Sequence, residues 1–270
     1  MPKFYSVGVR STSPRQHRRR GTATRNHMIW ASDSATFSPS DLDTLALWLK
    51  ADVGITKDGS DRVSAWASQT GSYSLSQSTG SKQPLYVASQ INSLPIIRFL
   101  TNDHLKKTSS VFNGDASLPM TVAVVLKIAA AAAAGTDTQY AFSVGGAETQ
   151  GENALAWTGK GDDALATFKL ASSKLDPTSV AGSDVAVNTA KLLIYEIHSN
   201  GECDLYINRE RVATTTVAAD GTLSSIARIG GFGTGAPDMD LGELCVWQGV
   251  IPGPRREDFF KYFSDRWGVS

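Results

Sequence analysis

Cysteine is scarce in this chain of 270 residues: two in all, Cys203 and Cys245. That excludes a scaffold built from disulfides. Both fall in strand-like stretches, where a buried free thiol is the expected state, and one bridge between them stays open. Histidine is nearly as rare, and His17, His27, His104 and His198 show no metal-ligand spacing with one another or with the cysteines. No long apolar run is present. The longest, "TVAVVLKIAAAAAAG", is broken by Lys127 and is mostly alanine, well short of the ~20 residues a membrane-crossing helix needs. Near the N-terminus "SVGV" is too short for a signal-peptide core and arginines follow it, so export by such a signal is not expected.

Acidic residues are also missing where the chain begins. Residues 1–30 hold seven of the 26 Lys and Arg and none of the 26 Asp and Glu, so the rest of the chain carries 19 basic against 26 acidic residues. A net charge of zero therefore hides a basic leader on an acidic body. Residues 1–40 mix Ser, Thr, Arg and Pro without a sustained hydrophobic period, the pattern of an extended arm. Such an arm could meet nucleic acid, an anionic membrane or acidic protein. Aromatics are few within it (Phe4, Tyr5, Trp30), which disfavours stacking on single-stranded bases. Arg15, Arg18, Arg19, Arg20 and Arg25 are the expected contacts to an acidic protein partner. Holding a thirty-residue tail costs on the order of 1–2 kcal/mol per residue, so it needs a partner to order it.

Residues 41–270 read as one all-β domain. Short apolar segments alternate with Gly, Asn, Asp and Ser clusters, and roughly eleven such segments point to a two-sheet sandwich. The best-defined pair is "LLIYEIHSNGECDLYINRE", with Asn200-Gly201 placed to supply the positive φ angles of a tight hairpin. In "SPSDLDTLALWL", Ser40 or Asp41 could cap a short helical turn, with Leu42, Leu45 and Trp48 facing a core. The alanine run 129–134 reads as a loop or short helix. The chain closes on a helix, "GPRREDFFKYFSDRWG": Pro254 suits its first position, Glu257 and Asp258 its early turns, and Gly268 its stop. Phe260, Phe263 and Trp267 share one face, and burying them at ~1.5–3 kcal/mol each would pin the helix to the body.

Two distant stretches carry a resemblance. Trp48, Asp52, Val63, Ser64, Trp66, Gly71, Pro84, Tyr86, Arg98 and Phe99, followed far downstream by Gly242, Glu243, Arg256, Trp267 and Gly268, resemble the opening and closing motifs of laminin-G-like domains in the concanavalin A-like lectin/glucanase superfamily. The resemblance implies a jelly-roll sandwich. It departs after Phe99, where a glycine-containing turn is usual and "LTNDHL" stands instead. The fold does not fix a function, because the superfamily holds lectins, adhesins, hydrolases and structural modules.

The chemistry of known enzymes is mostly missing. "DMDLGE" offers Asp238, Asp240 and Glu243, but superfamily glucanases place their carboxylates on alternate residues, and the last interval here is three with Gly242 between. A retaining pair must sit ~5–5.5 Å apart, so this stretch reads as a structural closing strand. "GGFGTG" leads towards a strand rather than a helix and reads as a turn. No Gly-x-Ser-x-Gly elbow is present. Sugar binding finds better material in "WTGKGDD", where Trp157, Asp162 and Asp163 combine an aromatic face with carboxylates; an oxygen-rich loop of this kind could also hold calcium, though no cofactor is called for. A lectin-type fold with a basic arm and no export signal looks like a phage virion protein. The expectation is a non-catalytic capsid-associated cement or decoration protein in the virion, anchored to a partner such as the major capsid protein, with homo-oligomerisation and a host-surface glycan as further partners and no membrane contact. The alternatives are a tail or receptor-binding lectin and, behind it, a glycoside hydrolase.

Overall fold

The computed structural model describes residues 37–71, 73–100, 102–107, 119–129, 138–145, 154–159, 165–172, 175–216, 226–231 and 238–270, with backbone alone for some of them. Arg15, Arg18, Arg19, Arg20 and Arg25, and the alanine run beyond Ala129, lie outside the described residues. Residues 36–270 form one compact unit.

Two antiparallel sheets make the body, as the alternating pattern led one to expect. The first runs, in spatial order, β15 (Glu210–Thr216), β14 (Glu202–Ile207), β13 (Lys191–Ile197), β8 (Met120–Ile128), β17 (Met239–Trp247), β6 (Leu94–Phe99) and β5 (Leu85–Ile91), with β1 (Leu45–Lys50) also paired to β17. The second runs β12 (Leu175–Ala186), β11 (Leu165–Ser172), β10 (Ala154–Gly159), β9 (Thr138–Gly145), β16 (Ile226–Gly230), β7 (His104–Lys107), β4 (Ser74–Ser76), β3 (Val63–Ala67) and β2 (Ile55–Lys57). Helix α1 (Arg256–Trp267) follows a 3₁₀ turn at Gly253–Arg255.

Strands at the centre of the first sheet are buried on both faces, which explains their nearly continuous apolar sequences. Along β8, Val122, Val124, Leu126 and Ile128 enter the core between the sheets. Ala123 and Val125 point the other way, into a second core beneath α1. The same division runs through β13, where Leu193 and Tyr195 go inward while Leu192 and Ile194 go to the helix side. This unit is thus three layers deep: sheet, sheet, helix. Phe259, Phe260, Phe263 and Trp267 are the buried face of α1, and Gly268 ends it in a left-handed conformation (φ +67°). Phe259 escaped the sequence reading although it is the hub, its ring 5.5 Å from Trp247, 5.6 Å from Phe260 and 5.1 Å from Phe263.

Several local expectations need correction. The cap of the short N-terminal turn (Pro39–Asp41) is Ser38, not Ser40 or Asp41, and Asp41 instead accepts the Ser38 backbone N–H at 2.9 Å. Phe37 is already buried against Phe259 and Tyr262, so the chain enters the body before residue 40. The β13–β14 connection is a four-residue turn in which Gly201 alone takes positive φ (+82°), while the Asn200 carboxamide oxygen accepts the Glu202 N–H at 2.9 Å. A two-residue type I′ hairpin would need both positions left-handed. Both cysteines are free and buried.

The glycine missing after Phe99 has a substitute. Asp103 closes that turn by accepting the Leu100 N–H at 3.1 Å, while its own N–H donates to the Leu100 carbonyl at 2.9 Å. The glycine required for tight approach comes from another strand: Gly230 has φ +87°, and a Cβ there would strike the Asp103 carbonyl oxygen.

Candidate functional site

Catalysis in this fold would rest on the carboxylates of the closing strand, β17. A bulge at Gly242 shifts the register between Leu241 and Glu243, and Asp240 and Glu243 consequently share the face turned away from the sandwich core. A three-residue interval thus becomes a same-face pair, which spacing alone did not reveal. Both groups are engaged. Asp240 receives Arg98 through two bonds (2.7 and 3.0 Å) and Lys127 at 2.9 Å. Burial pushes its carboxyl up, and these cations outweigh that and hold it below the usual carboxylate range. Glu243, fully buried, accepts Trp48 Nε1 (2.6 Å) and the Tyr262 hydroxyl (2.8 Å) on Oε1, and Arg266 Nε (3.1 Å) and Trp267 Nε1 (2.6 Å) on Oε2. A general acid needs room for substrate beside it, and the space around the Glu243 carboxylate is filled by these four donors.

A second buried group is brought together by strand register. Glu196 of β13 lies opposite Asp204 of β14, and with His198 their ligand atoms fall within 4.8 Å of one another. The sequence reading, which compared histidines only with each other and with cysteines, missed this cluster. Its charges are balanced by protein: Arg256 donates to Glu196 at 2.7 Å, the Ile251 N–H to Glu196 at 2.5 Å, and Thr214 and Arg211 to Asp204 at 2.6 and 3.3 Å. The cluster ties the β13–β14 pair to the approach of α1.

Of the anticipated sugar contacts, Trp157 alone falls among the described residues. Trp157 sits within β10, opposite Phe168 of β11 and Gln139 of β9. It belongs to a paired strand and not to a loop, because the ladder continues through Gly159. Asp162 and Asp163 lie outside the described residues.

An open groove occurs elsewhere, on the rim where β1 starts and β17 ends. It has two lobes that share Asp43 and Thr44. One, of about 370 Å³, is walled by Asp41, Leu42, Trp247, Val250, Pro252 and Arg255. The other, of about 250 Å³, is bordered by Thr70, Gly71, Tyr73 and Gln248. The local backbone explains its shape. The Gln248 N–H donates to the Thr44 carbonyl at 2.9 Å, and Trp247 Nε1 to the Pro39 carbonyl at 3.3 Å, fixing the rim to the end of β17. Gly71 has φ +62°, and a Cβ there would lie 2.9 Å from the Tyr73 ring, so only glycine lets that ring stand at the lobe's edge.

Three of the groove's polar side chains are uncommitted. Among the described residues the exposed Asp43 carboxylate has no hydrogen-bond or ion-pair partner, and the Gln248 carboxamide and Tyr73 hydroxyl likewise make no hydrogen bond. Arg255, by contrast, lies 3.6 Å from Asp41 and 3.8 Å from Asp258. Carboxylate, amide, hydroxyl and an aromatic ring around a shallow groove are groups suited to a polyhydroxylated ligand.

No protein-family model matches the chain, and no curated protein sequence does so either. Solved structures do. A Trypanosoma rangeli sialidase in complex with sialic acid superposes with a TM-score of 0.57 at 10% identity, covering 85% of this chain and 34% of the sialidase. The binding domain of Paraclostridial Mosquitocidal Protein 1 superposes with a TM-score of 0.55 at 14% identity, covering 86% of this chain and 56% of that one. The chain thus spans about a third of the sialidase and little over half of the Paraclostridial domain. At such identities the likeness is one of fold alone: a β-sandwich.

Proposed function

We propose that this chain is a non-catalytic, glycan-binding module of laminin-G-like type whose recognition surface is the two-lobed groove at Asp43 and Thr44. The observation that carries this reading is the uncommitted set of polar groups around the shared ridge, beside the Tyr73 ring. The fold is compatible with it: this sandwich matches about a third of a sialidase solved in complex with sialic acid. The engagement of Asp240 and Glu243 by cations and indoles supports a role without bond cleavage. Binding to an array of immobilised glycans, lost in Tyr73→Ala and Gln248→Ala but kept in Asp240→Asn, is the expected result. Binding indifferent to both groove variants would remove the groove from the reading.

The basic leader supports a second element of the proposal, anchorage to an acidic partner such as a virion's major capsid protein. The support is the segregation of charge: seven cations and no acid in residues 1–30. Deleting residues 1–30 should abolish incorporation into particles and leave the thermal unfolding of the sandwich unchanged. Normal incorporation of the truncated chain would end the virion proposal without touching the groove.

A further inference from the structure

Resting on the glycan reading of the groove, we propose that it selects uncharged and amino-bearing sugar chains and discriminates against acidic ones such as sialylated glycans. The argument is electrostatic. The charged side chains lining the two lobes are Asp41, Asp43 and Arg255, an excess of one negative charge. The single lining cation is already shared between Asp41 and Asp258, so it is not available to an incoming carboxylate. Asp43, the charged residue common to both lobes, has no hydrogen-bond or ion-pair partner among the described residues. A ligand occupying either lobe therefore meets an open carboxylate.

Such a group accepts hydrogen bonds from sugar hydroxyls, and from a protonated amine it gains a charge-assisted bond. A sugar carboxylate placed there must instead expel or screen its own charge. Lys107 stands 4.8 Å from the Tyr73 ring centroid, its ammonium over the aromatic ring. Among the described residues that line the groove itself, acids outnumber cations by one, and Asp43 is the acid without a counter-charge.

The test uses the full-length chain on paired immobilised probes: each neutral oligosaccharide beside its sialylated form, and N-acetylglucosamine oligomers beside the de-acetylated glucosamine oligomers. Each sialylated probe should bind roughly tenfold or more weakly than its neutral pair at low salt, a gap that narrows as salt screens the repulsion. De-acetylated oligomers should bind at least as well as acetylated ones. Asp43→Asn, which removes an exposed charge that holds nothing in place, should shrink both differences while leaving thermal unfolding unchanged. Preference for the sialylated partner, or selectivity that Asp43→Asn does not alter, overturns the inference and leaves the glycan reading standing. Absence of binding to every probe overturns both.

Discussion

Trp267, at the last turn of α1, donates its indole N–H to Glu243 of β17 at 2.6 Å, and its six-membered ring lies against Gly242, where a Cβ would come within 2.6 Å. Trp48 of β1 donates to the other Glu243 oxygen, also at 2.6 Å, and Arg266 bridges onward to Asp52 at 2.7 Å. Trp48, Asp52, Gly242, Glu243 and Trp267, five of the residues that carry the resemblance, therefore meet in one knot that fastens helix to sheet.

Glu243→Gln should unfold the joint. The amide would place N–H groups among four donors and leave Arg266 half-compensated in a buried setting. Breaking a buried pair by removing one partner costs about 3–5 kcal/mol, so a fall of that size in unfolding free energy is expected from denaturant titration. A change under about 1 kcal/mol would mean water can replace the carboxylate. Gly242→Ala should cost stability too, by driving its methyl into the Trp267 ring.

Tyr195 is fully buried in the core between the sheets, and its hydroxyl has no hydrogen-bond partner among the described residues. Burial drives its ionisation far above the ordinary tyrosine value. An unsatisfied buried polar group costs ~1–3 kcal/mol, and removing it at constant shape recovers part of that. Tyr195→Phe should therefore leave the melting temperature unchanged or raise it. A clear fall would show that the hydroxyl has found a partner such as a buried water.

The β5–β6 hairpin turns through Asn92 (φ +47°) and Ser93 (φ +62°), two consecutive left-handed residues. Asn92 belongs there, since its carboxamide also donates to the Arg266 carbonyl at 2.9 Å and so closes the C-terminal end of α1. Ser93 gains nothing from the conformation. Ser93→Gly should stabilise by ~0.5–1 kcal/mol, the cost of holding a side chain at positive φ. A destabilised variant would mean that the loss of unfolded-state restriction dominates.

How legible these features were follows from the range of the forces involved. Local terms were readable: Gly268 as a helix stop, the shared face of Phe260, Phe263 and Trp267, and the apolar runs of β8 and β13. Features set by partners distant in sequence were not. The bulge at Gly242 reverses which residues share a face with Asp240, and no local pattern announces it. Glu196 and Asp204 become neighbours only through strand pairing. β2 and β4, three residues each, are too short for alternation to stand out, and β12 contains Pro177, which reads as a breaker. The groove was invisible for the same reason: Asp43, Tyr73 and Gln248 come from three separated stretches and lack any spacing signature.

Acid should weaken this fold through His104. Its imidazole is buried in the second sheet, with Nε2 2.6 Å from the Gln77 carboxamide nitrogen and Nδ1 3.0 Å from the Asn102 carbonyl. The carboxamide must donate to Nε2, so Nδ1 carries the proton and the ring is neutral. Burial lowers its pKa, and the cations Arg228, Lys82 and Lys106 act in the same direction against the bond to Asn102, which raises it. A folded pKa below the unfolded value of about 6.5 means that the unfolded chain binds the proton more readily. The stabilisation from neutral His104 is thus complete above that unfolded value and is lost as pH falls through it towards the folded one. Chemical denaturation between pH 7.5 and 5 should show stability falling with acid. The exposed Asp43→Asn variant should follow the same slope, whereas His104→Gln, which keeps a buried acceptor without a titrating ring, should flatten it. An equal slope in His104→Gln would assign the acid sensitivity to groups other than His104.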